Sequence, residues 1–271
     1  MTLGRFQSYE ERYAGGSQSY IKFQISFYRS NLLKSVAIAS IETEIEKLEG
    51  IVSKLSEAKD SNGTSDSKES KNKNEKLVAV ELNEDQFEFL SGVMNFTHKE
   101  HVILDTYLYS VLVVFLWGAF ETYITSVFNE LFHLKPSMLK SNETLRYEEV
   151  IDNLNDPLKL IMNKELNKIG HFKLKEYIEY LKNKINVKFE DELESTLSEI
   201  YLIRNIIAHN TGKVRDDFVK LLPKEIKTID NEIIVTTEYF EKAKDTISNS
   251  VEIIEKMVRD SFFKKQIDDI V

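Results

Sequence analysis

The chain has 271 residues, and its 42% hydrophobic content is enough for a packed core. The absence of cysteine excludes disulfides and thiolate metal sites, and a net charge of −9 opposes indiscriminate coating of nucleic acid. Only 3 prolines and 9 glycines favour a mostly helical fold. The polar N-terminus is unlike a secretory signal, so we predict a cytoplasmic protein.

Residues 1–57 predict a polar arm followed by an amphipathic helix that begins near Tyr20. The stretch 58–76 contains almost nothing that could enter a core, which indicates a flexible polar linker. We therefore predict an N-terminal helix that is tethered to a main domain at 77–271. The apolar positions of this helix step by three and four residues: Ile38, Ile41, Ile45, Leu48, Val52 and Leu55.

The next part of the chain predicts a short strand at Leu77–Leu82, a short helix capped by Asn83, and a long helix over about 101–133. Lys135-Pro136 should end the long helix, because proline cannot continue it. The apolar stretch from Tyr107 to Phe120 is shorter than the roughly 20 residues of a membrane span. We expect it to be a helix buried on most sides, with no membrane contact.

The remainder predicts more helix with a short β element. Leu154, Leu158 and Met162 indicate one helix, which Gly170 separates from another. A polar connection then leads to the β element. The helices expected here are one around 174–181, one over about 190–209 and a last one over about 237–262. The predicted fold class is therefore all-α with a short accessory β element.

The helix over 190–209 carries the most informative pattern. At about 100° per residue, Leu193, Ile200, Ile203 and Ile207 form an apolar stripe, whereas Arg204, Asn205 and His209 lie on the adjoining arc. Asn210, Thr211 and Gly212 should end the helix in a left-handed cap. An imidazole exchanges protons near neutral pH, and a guanidinium grips phosphate oxygens in pairs. The pattern predicts a site for an anionic substrate beside the core.

Arg204-Asn205-x-x-x-His209 at the end of an apolar helix resembles the Arg-x4-6-His motif of HEPN domains. The upstream helix with Phe120-Glu121-x-Tyr123 and the tail over 230–240, a short strand that runs into a last helix, strengthen the resemblance. It covers about residues 100–265 and implies a HEPN-like helical bundle. It also implies a metal-independent endoribonuclease that leaves 2′,3′-cyclic phosphate ends and needs no cofactor.

The resemblance implies that Arg204 and His209 are catalytic. Asn205 and Asn210 are assigned supporting roles. Glu121 either holds Arg204 in position, as a polar residue of the family helix does, or simply reaches the surface. A structural interpretation also remains, in which His209 interacts with the helix dipole and Arg204 pairs with a carboxylate.

Predicted partners follow from charge and from the family. Residues 158–188 contain eight lysines and three glutamates. The lysines predicted to contact an RNA backbone are Lys173, Lys175, Lys182, Lys184 and Lys213. The resemblance implies a homodimer, and a toxin or antiviral-defence effector with an antitoxin or defence-system partner. The alternatives are a non-catalytic interaction module that uses the same dimer face and a sensor or antitoxin-like regulator restrained by its N-terminal helix.

Overall fold

The computed structural model describes residues 17–61, 84–140, 144–219 and 222–263. The helices in chain order are α1 (Gln18–Ser61), α2 (Glu84–Leu134), α3 (Tyr147–Asp152), α4 (Pro157–Gly170), α5 (Leu174–Ile185), α6 (Asp191–Asn210), α7 (Asp216–Val219) and α8 (Thr237–Val258). A 3-10 turn, Pro136–Leu139, follows α2, and a π-helical turn, Arg259–Phe263, follows α8. The predicted all-α class with a short β element is confirmed.

Several predicted boundaries are wrong. Residues 58–61 continue α1, because Glu57, Ala58 and Lys59 are good helix formers; the rest of the linker 58–76 and the strand at Leu77–Leu82 lie outside the described residues. Helix α2 is continuous where two helices were expected. The helix predicted through Leu154 is interrupted by a turn, and α4 begins at Pro157. The signal that was missed there is proline at the first helical position, preceded by the capping Asp156.

The chain divides into two compact units, Met1–Leu32 with Tyr109–Val271, and Leu33–Leu108. The described residues of the second unit are all helical, and its predicted apolar positions Ile38, Ile41, Ile45 and Leu48 are half-buried. This division differs from the predicted one, because the first turns of α1 belong to the main unit. The prediction that the whole N-terminal helix is only tethered is therefore wrong at its start.

The start of α1 is anchored by a buried carboxylate of α8. Ser17 donates to Glu255 from its backbone N–H and from its hydroxyl, at 2.7 Å each, and the Tyr123 hydroxyl donates to the same carboxylate at 3.1 Å. The Ser17 hydroxyl also accepts the Tyr20 N–H at 3.0 Å, as an N-cap does. Glu255 is only 5% exposed, so this contact fixes the first turn of α1 inside the main unit.

The second half of α2 is the centre of the core of the main unit. Its fully buried side chains include Leu112, Leu116, Trp117, Phe120, Ile124, Val127, Phe128 and Leu131. Helix α6 packs against α8, and the ring centroids of Tyr109 and Phe240 lie 5.5 Å apart. This packing brings Glu121 of α2 close to the polar side of α6.

The stretch Tyr107–Leu134 is long and apolar enough to span a membrane by length and composition, and half of its most apolar part is buried inside the protein. The expectation that it falls short in length is wrong, because the apolar run continues beyond Glu121. Core helices of soluble proteins meet the same criterion, and the buried side chains of α2 serve the core here.

Candidate functional site

Helix α6 presents its apolar side to the core through Leu197, Ile200, Ile203 and Ile206, all buried. The predicted stripe is confirmed at Ile200 and Ile203, whereas Leu193 and Ile207 are only half-buried. The four buried residues are spaced by three, and three residues fall about 60° short of a full helical turn. The buried face therefore rotates around the helix axis by about 60° at each step. The last turn of α6 therefore directs Ile206 inward and leaves Ala208 and His209 exposed.

The end of α6 has the predicted left-handed cap. Thr211 and Gly212 have φ values of 52° and 82°, and Asn210 is the last helical residue. The backbone N–H groups of Thr211 and Gly212 both donate to the Ile206 carbonyl. Glycine adopts positive φ without strain, which explains its place immediately after the turn.

A two-stranded hairpin holds the segment that follows His209. Strand β1 (Lys227–Ile229) pairs antiparallel with β2 (Glu232–Ile234) through a turn in which Asp230 and Asn231 both have positive φ. Ile233 donates to the Gly212 carbonyl at 2.9 Å, and Val214 donates to the Asn231 carbonyl at 2.8 Å. The accessory β element therefore fixes the end of α6; the sequence predicted one strand here and missed β1.

The structure brings Arg204, Asn205 and Glu121 together. The Arg204 Nη2 donates to Glu121 Oε2 at 3.2 Å, and its Nη1 donates to Asn205 Oδ1 at 2.8 Å. The Arg204 and Glu121 side chains are 21% and 27% exposed, so this ion pair is partly shielded from water. This contact fits the prediction that Glu121 holds Arg204, and it fits equally the structural interpretation in which Arg204 pairs with a carboxylate.

Trp117 completes this cluster from within the core. Its indole Nε1–H donates to Glu121 Oε1 at 2.8 Å, one helical turn away, so each carboxylate oxygen of Glu121 has its own donor. The Arg204 Nε atom is buried and has no hydrogen-bond partner among the described residues. An unpaired buried donor costs about 1–3 kcal/mol, so the position of Arg204 depends on Glu121 and Asn205.

Tyr177 of α5 lies at the inner edge of the same cluster and is 2% exposed. Burial raises the pKa of its hydroxyl to about 12, and the Glu121 carboxylate and the Tyr201 hydroxyl act in the same direction. Arg204 and a hydrogen bond with Thr125 partly oppose this increase in the pKa. Trp117, Tyr177 and Tyr201 were missed in the sequence, where the one available signal was the four-residue spacing of Trp117 and Glu121.

His209 is exposed on the last turn of α6. Its Cα lies about 7.5 Å along the helix axis from that of Arg204. Within the described ranges, no hydrogen bond or ion pair joins the His209 side chain to Arg204, Asn205 or Glu121. Asn210 is exposed beside it. One chain therefore presents a held guanidinium and a free imidazole on the same helix without direct contact.

The predicted RNA-binding lysines divide into two groups. Lys173, Lys175 and Lys182 are exposed around α5. Lys184 donates to the Met138 carbonyl at 2.6 Å and lies over the Tyr180 ring, which opposes its predicted RNA contact. Lys213 forms an exposed ion pair with Glu232 at 3.8 Å, and such surface pairs contribute little.

Two cavities of the main unit lie away from this cluster. One, of about 300 Å³, is lined by residues that include Leu139, Leu158 and Glu165; the other, of about 350 Å³, is lined by residues that include Ser19 and Phe115. Neither is lined by Arg204 or His209. The cluster is partly exposed, and His209 lies at the surface, so we call this part of α6 the ledge. Among the described residues, no group of three or more His, Asp or Glu side chains is placed to hold a metal ion.

Comparisons of the chain with protein-family models, with curated proteins and with solved structures gave no match. The resemblance to HEPN domains therefore depends on the residues quoted from the sequence.

Proposed function

We propose that this chain is a metal-independent endoribonuclease of the HEPN type. The supporting observation is that Arg204 is held by Glu121 and Asn205 at this ledge, on the helix whose last turn exposes His209. A held guanidinium can stabilise charge on a phosphate, and a solvent-accessible imidazole can transfer a proton; cleavage of a phosphodiester needs both.

In the proposed reaction, the 2′-hydroxyl loses its proton and its oxygen attacks the adjacent phosphorus. The bond from phosphorus to the 5′ oxygen breaks, and that oxygen takes up a proton as it leaves. The products are a 2′,3′-cyclic phosphate and a 5′-hydroxyl end. His209 transfers a proton, and Arg204 stabilises the charge that develops on the phosphate oxygens.

The two proton transfers occur on opposite sides of phosphorus, and one chain supplies one His209. A two-fold dimer would bring a second His209 and a second Arg204 to the same groove, and an isologous interface is the commonest way for identical chains to associate. Light scattering should therefore give about twice the chain mass of 31.6 kDa. A monomer that cleaves RNA with the same specific activity at every concentration would exclude the dimeric site.

RNA binding in this proposal uses the exposed Lys173, Lys175 and Lys182. Phosphate contacts release counterions, so RNA affinity should fall steeply as salt increases. Replacement of all three lysines with glutamine should weaken binding and reduce the slope of this salt dependence. An unchanged slope would remove these lysines from the interface.

The test of the function is an RNA cleavage assay in EDTA with wild type, His209→Ala and a matched control. His171 is an exposed histidine at the C-cap of α4, so His171→Ala removes a comparable side chain elsewhere. Cleavage should persist in EDTA, be lost in His209→Ala and be retained in His171→Ala. The new 5′ ends should accept phosphate from a polynucleotide kinase without phosphatase treatment.

The same assay decides the alternative. If neither wild type nor the control cleaves RNA, the non-catalytic interaction module or a restrained state accounts for the ledge. If cleavage occurs, the role implied by the resemblance is a toxin or antiviral-defence effector. A partner protein that restrains it would then be an antitoxin or a defence-system component, and co-expression should suppress its toxicity to the host cell.

A further inference from the structure

We propose that Trp117 is a positioning residue for Arg204 and acts through Glu121. The inference deepens the proposed function, on which it rests, because it says how the chain orients the cation that would bind the phosphate. It is carried by the continuous hydrogen-bonded path from the Trp117 indole to Glu121 and on to the Arg204 guanidinium.

The first step is that a hydrogen bond from Trp117 orients the Glu121 carboxylate. Trp117 is fully buried, and its ring centroid lies 5.5 Å from that of Phe120 and 5.4 Å from that of Tyr201. The indole N–H is therefore a fixed donor. A carboxylate that accepts at one oxygen from a fixed donor presents its other oxygen in a defined direction, which here is occupied by Arg204.

The second step is that Arg204 needs this support. Its Nε–H is buried and finds no hydrogen-bond partner in the part of the chain that the structure describes, so one of its donors is left unsatisfied. A side chain keeps an unfavourable position only where contacts with its surroundings offset the free-energy cost of that position. Glu121 and Asn205 supply the two bonds that do so, and Trp117 fixes the first of these partners.

The chain offers a direct readout, because Trp117 is its single tryptophan and gives one indole N–H resonance in an NMR spectrum. Arg204 forms no bond with Trp117 itself. Arg204→Ala should nevertheless shift this resonance and accelerate its hydrogen exchange, because Glu121 loses its second partner. The matched control is Lys242→Ala, since Lys242 of α8 also pairs with a carboxylate of another helix, Glu199, at 3.2 Å.

An indole resonance that moves in Arg204→Ala and stays unchanged in Lys242→Ala supports the path. An indole that keeps its position and exchange rate in Arg204→Ala overturns it. This measurement needs no RNA, so it decides the inference even if the wild-type protein proves unable to cleave RNA. In that case the proposed function fails, while the positioning of Arg204 is still tested.

The kinetic arm uses Trp117→Phe, which keeps an aromatic ring and removes the N–H donor. Misplacement of a positioned group costs about 10- to 100-fold in rate, so kcat should fall by that amount while KM changes little. Phe128→Leu is the control for lost packing, because Phe128 is fully buried on the same helix and contacts Tyr180 instead of the cluster. Equal kcat losses in Trp117→Phe and Phe128→Leu would contradict a positioning role.

Discussion

Two carboxylate clusters of the main unit differ in how completely they are satisfied. At the start of α1, Glu255 accepts three hydrogen bonds from Ser17 and Tyr123 and is almost fully buried. At the end of α6, Glu121 accepts two, and the Arg204 that it holds has an unpaired buried Nε–H. Both clusters join distant parts of the sequence, but only the second reaches the surface.

The difference is between a cluster that anchors a helix inside the core and a cluster that lies partly exposed at the surface. A second carboxylate reinforces the first cluster, since Glu130 accepts the backbone N–H groups of Gln18 and Ser19 at 3.1 and 2.7 Å. These N–H groups have no partner within their own helix, and negative charge is favourable at a helix N-terminus. The first cluster leaves nothing for a ligand, whereas the second leaves guanidinium hydrogens and a nearby free imidazole.

The largest expected effect follows from removal of the cation in the second cluster. Arg204→Ala should lower the cleavage rate by about two to three powers of ten, because one charge-stabilising group is lost. Its free energy of unfolding should change by only about 1 kcal/mol, since the ion pair lies near the surface. Arg204→Lys keeps the charge without the planar fork and should recover little activity. Rate measurements beside urea unfolding test both parts, and a large stability loss would assign Arg204 to the fold.

Glu255→Ala should have the opposite profile. It leaves two Ser17 donors and the Tyr123 hydroxyl without their acceptor, which should cost about 2–4 kcal/mol in the free energy of unfolding. Glu252→Ala is the control, because Glu252 is exposed on the same helix. Chemical denaturation measures the difference between the two. Comparable stability in both variants would show that the first cluster does not anchor α1.

The sequence predicted the second cluster better than the first for a physical reason. Arg204, Asn205 and His209 are close in the chain, so the period of one helix is enough to place them on a common arc. Glu121 entered through a resemblance, and its contact with Arg204 depends on the packing of two distant helices. Tyr177 was missed because its place beside Glu121 depends on the packing of distant helices, and Trp117 was missed although its four-residue spacing from Glu121 is a helical signal.

The first cluster was missed for a related reason. Ser17 and Glu255 are 238 residues apart in the sequence. In an acidic chain, the sequence pattern does not distinguish a buried glutamate from the many exposed ones. The residues before Tyr20 are polar and predicted an irregular arm; of the described ones, Ser17 caps α1 and anchors it to Glu255. The fold class and most helix boundaries follow from local sequence patterns, whereas contacts between polar side chains that are distant in the sequence do not.

A smaller effect is expected for Ser17→Ala, which removes an N-cap and one of the donors to Glu255. Loss of an N-cap side chain costs about 1 kcal/mol, and the backbone N–H of residue 17 can still donate to Glu255. Ser198→Ala is the control, because the exposed Ser198 hydroxyl donates to the Glu194 carbonyl within α6. Urea unfolding should separate the two variants, and equal stabilities would exclude a capping role.

The smallest effect should appear at alkaline pH, where each cluster contains a tyrosine with a raised pKa. Burial, followed by the charge of Glu255, raises the pKa of Tyr123, and the pKa of Tyr177 beside Glu121 is raised to about 12.

A pKa above that of the unfolded chain, about 10 for tyrosine, means that the neutral hydroxyl contributes stability that is complete below pH 10 and is lost as the pH rises through the folded pKa. For Tyr177 the loss at pH 11 should be roughly 1 kcal/mol, since one pKa unit corresponds to about 1.4 kcal/mol.

Tyr177→Phe should therefore flatten the fall in stability between pH 10 and 12. At pH 8 it should lower the free energy of unfolding by only about 1 kcal/mol, because the hydrogen bond with Thr125 is lost while the ring stays buried. Tyr123→Phe should flatten the alkaline fall and also lower stability at pH 8, because Glu255 loses a donor there. Urea unfolding from pH 8 to 11.5 distinguishes the two, and identical profiles for both variants would mean that the two clusters constrain their tyrosines equally.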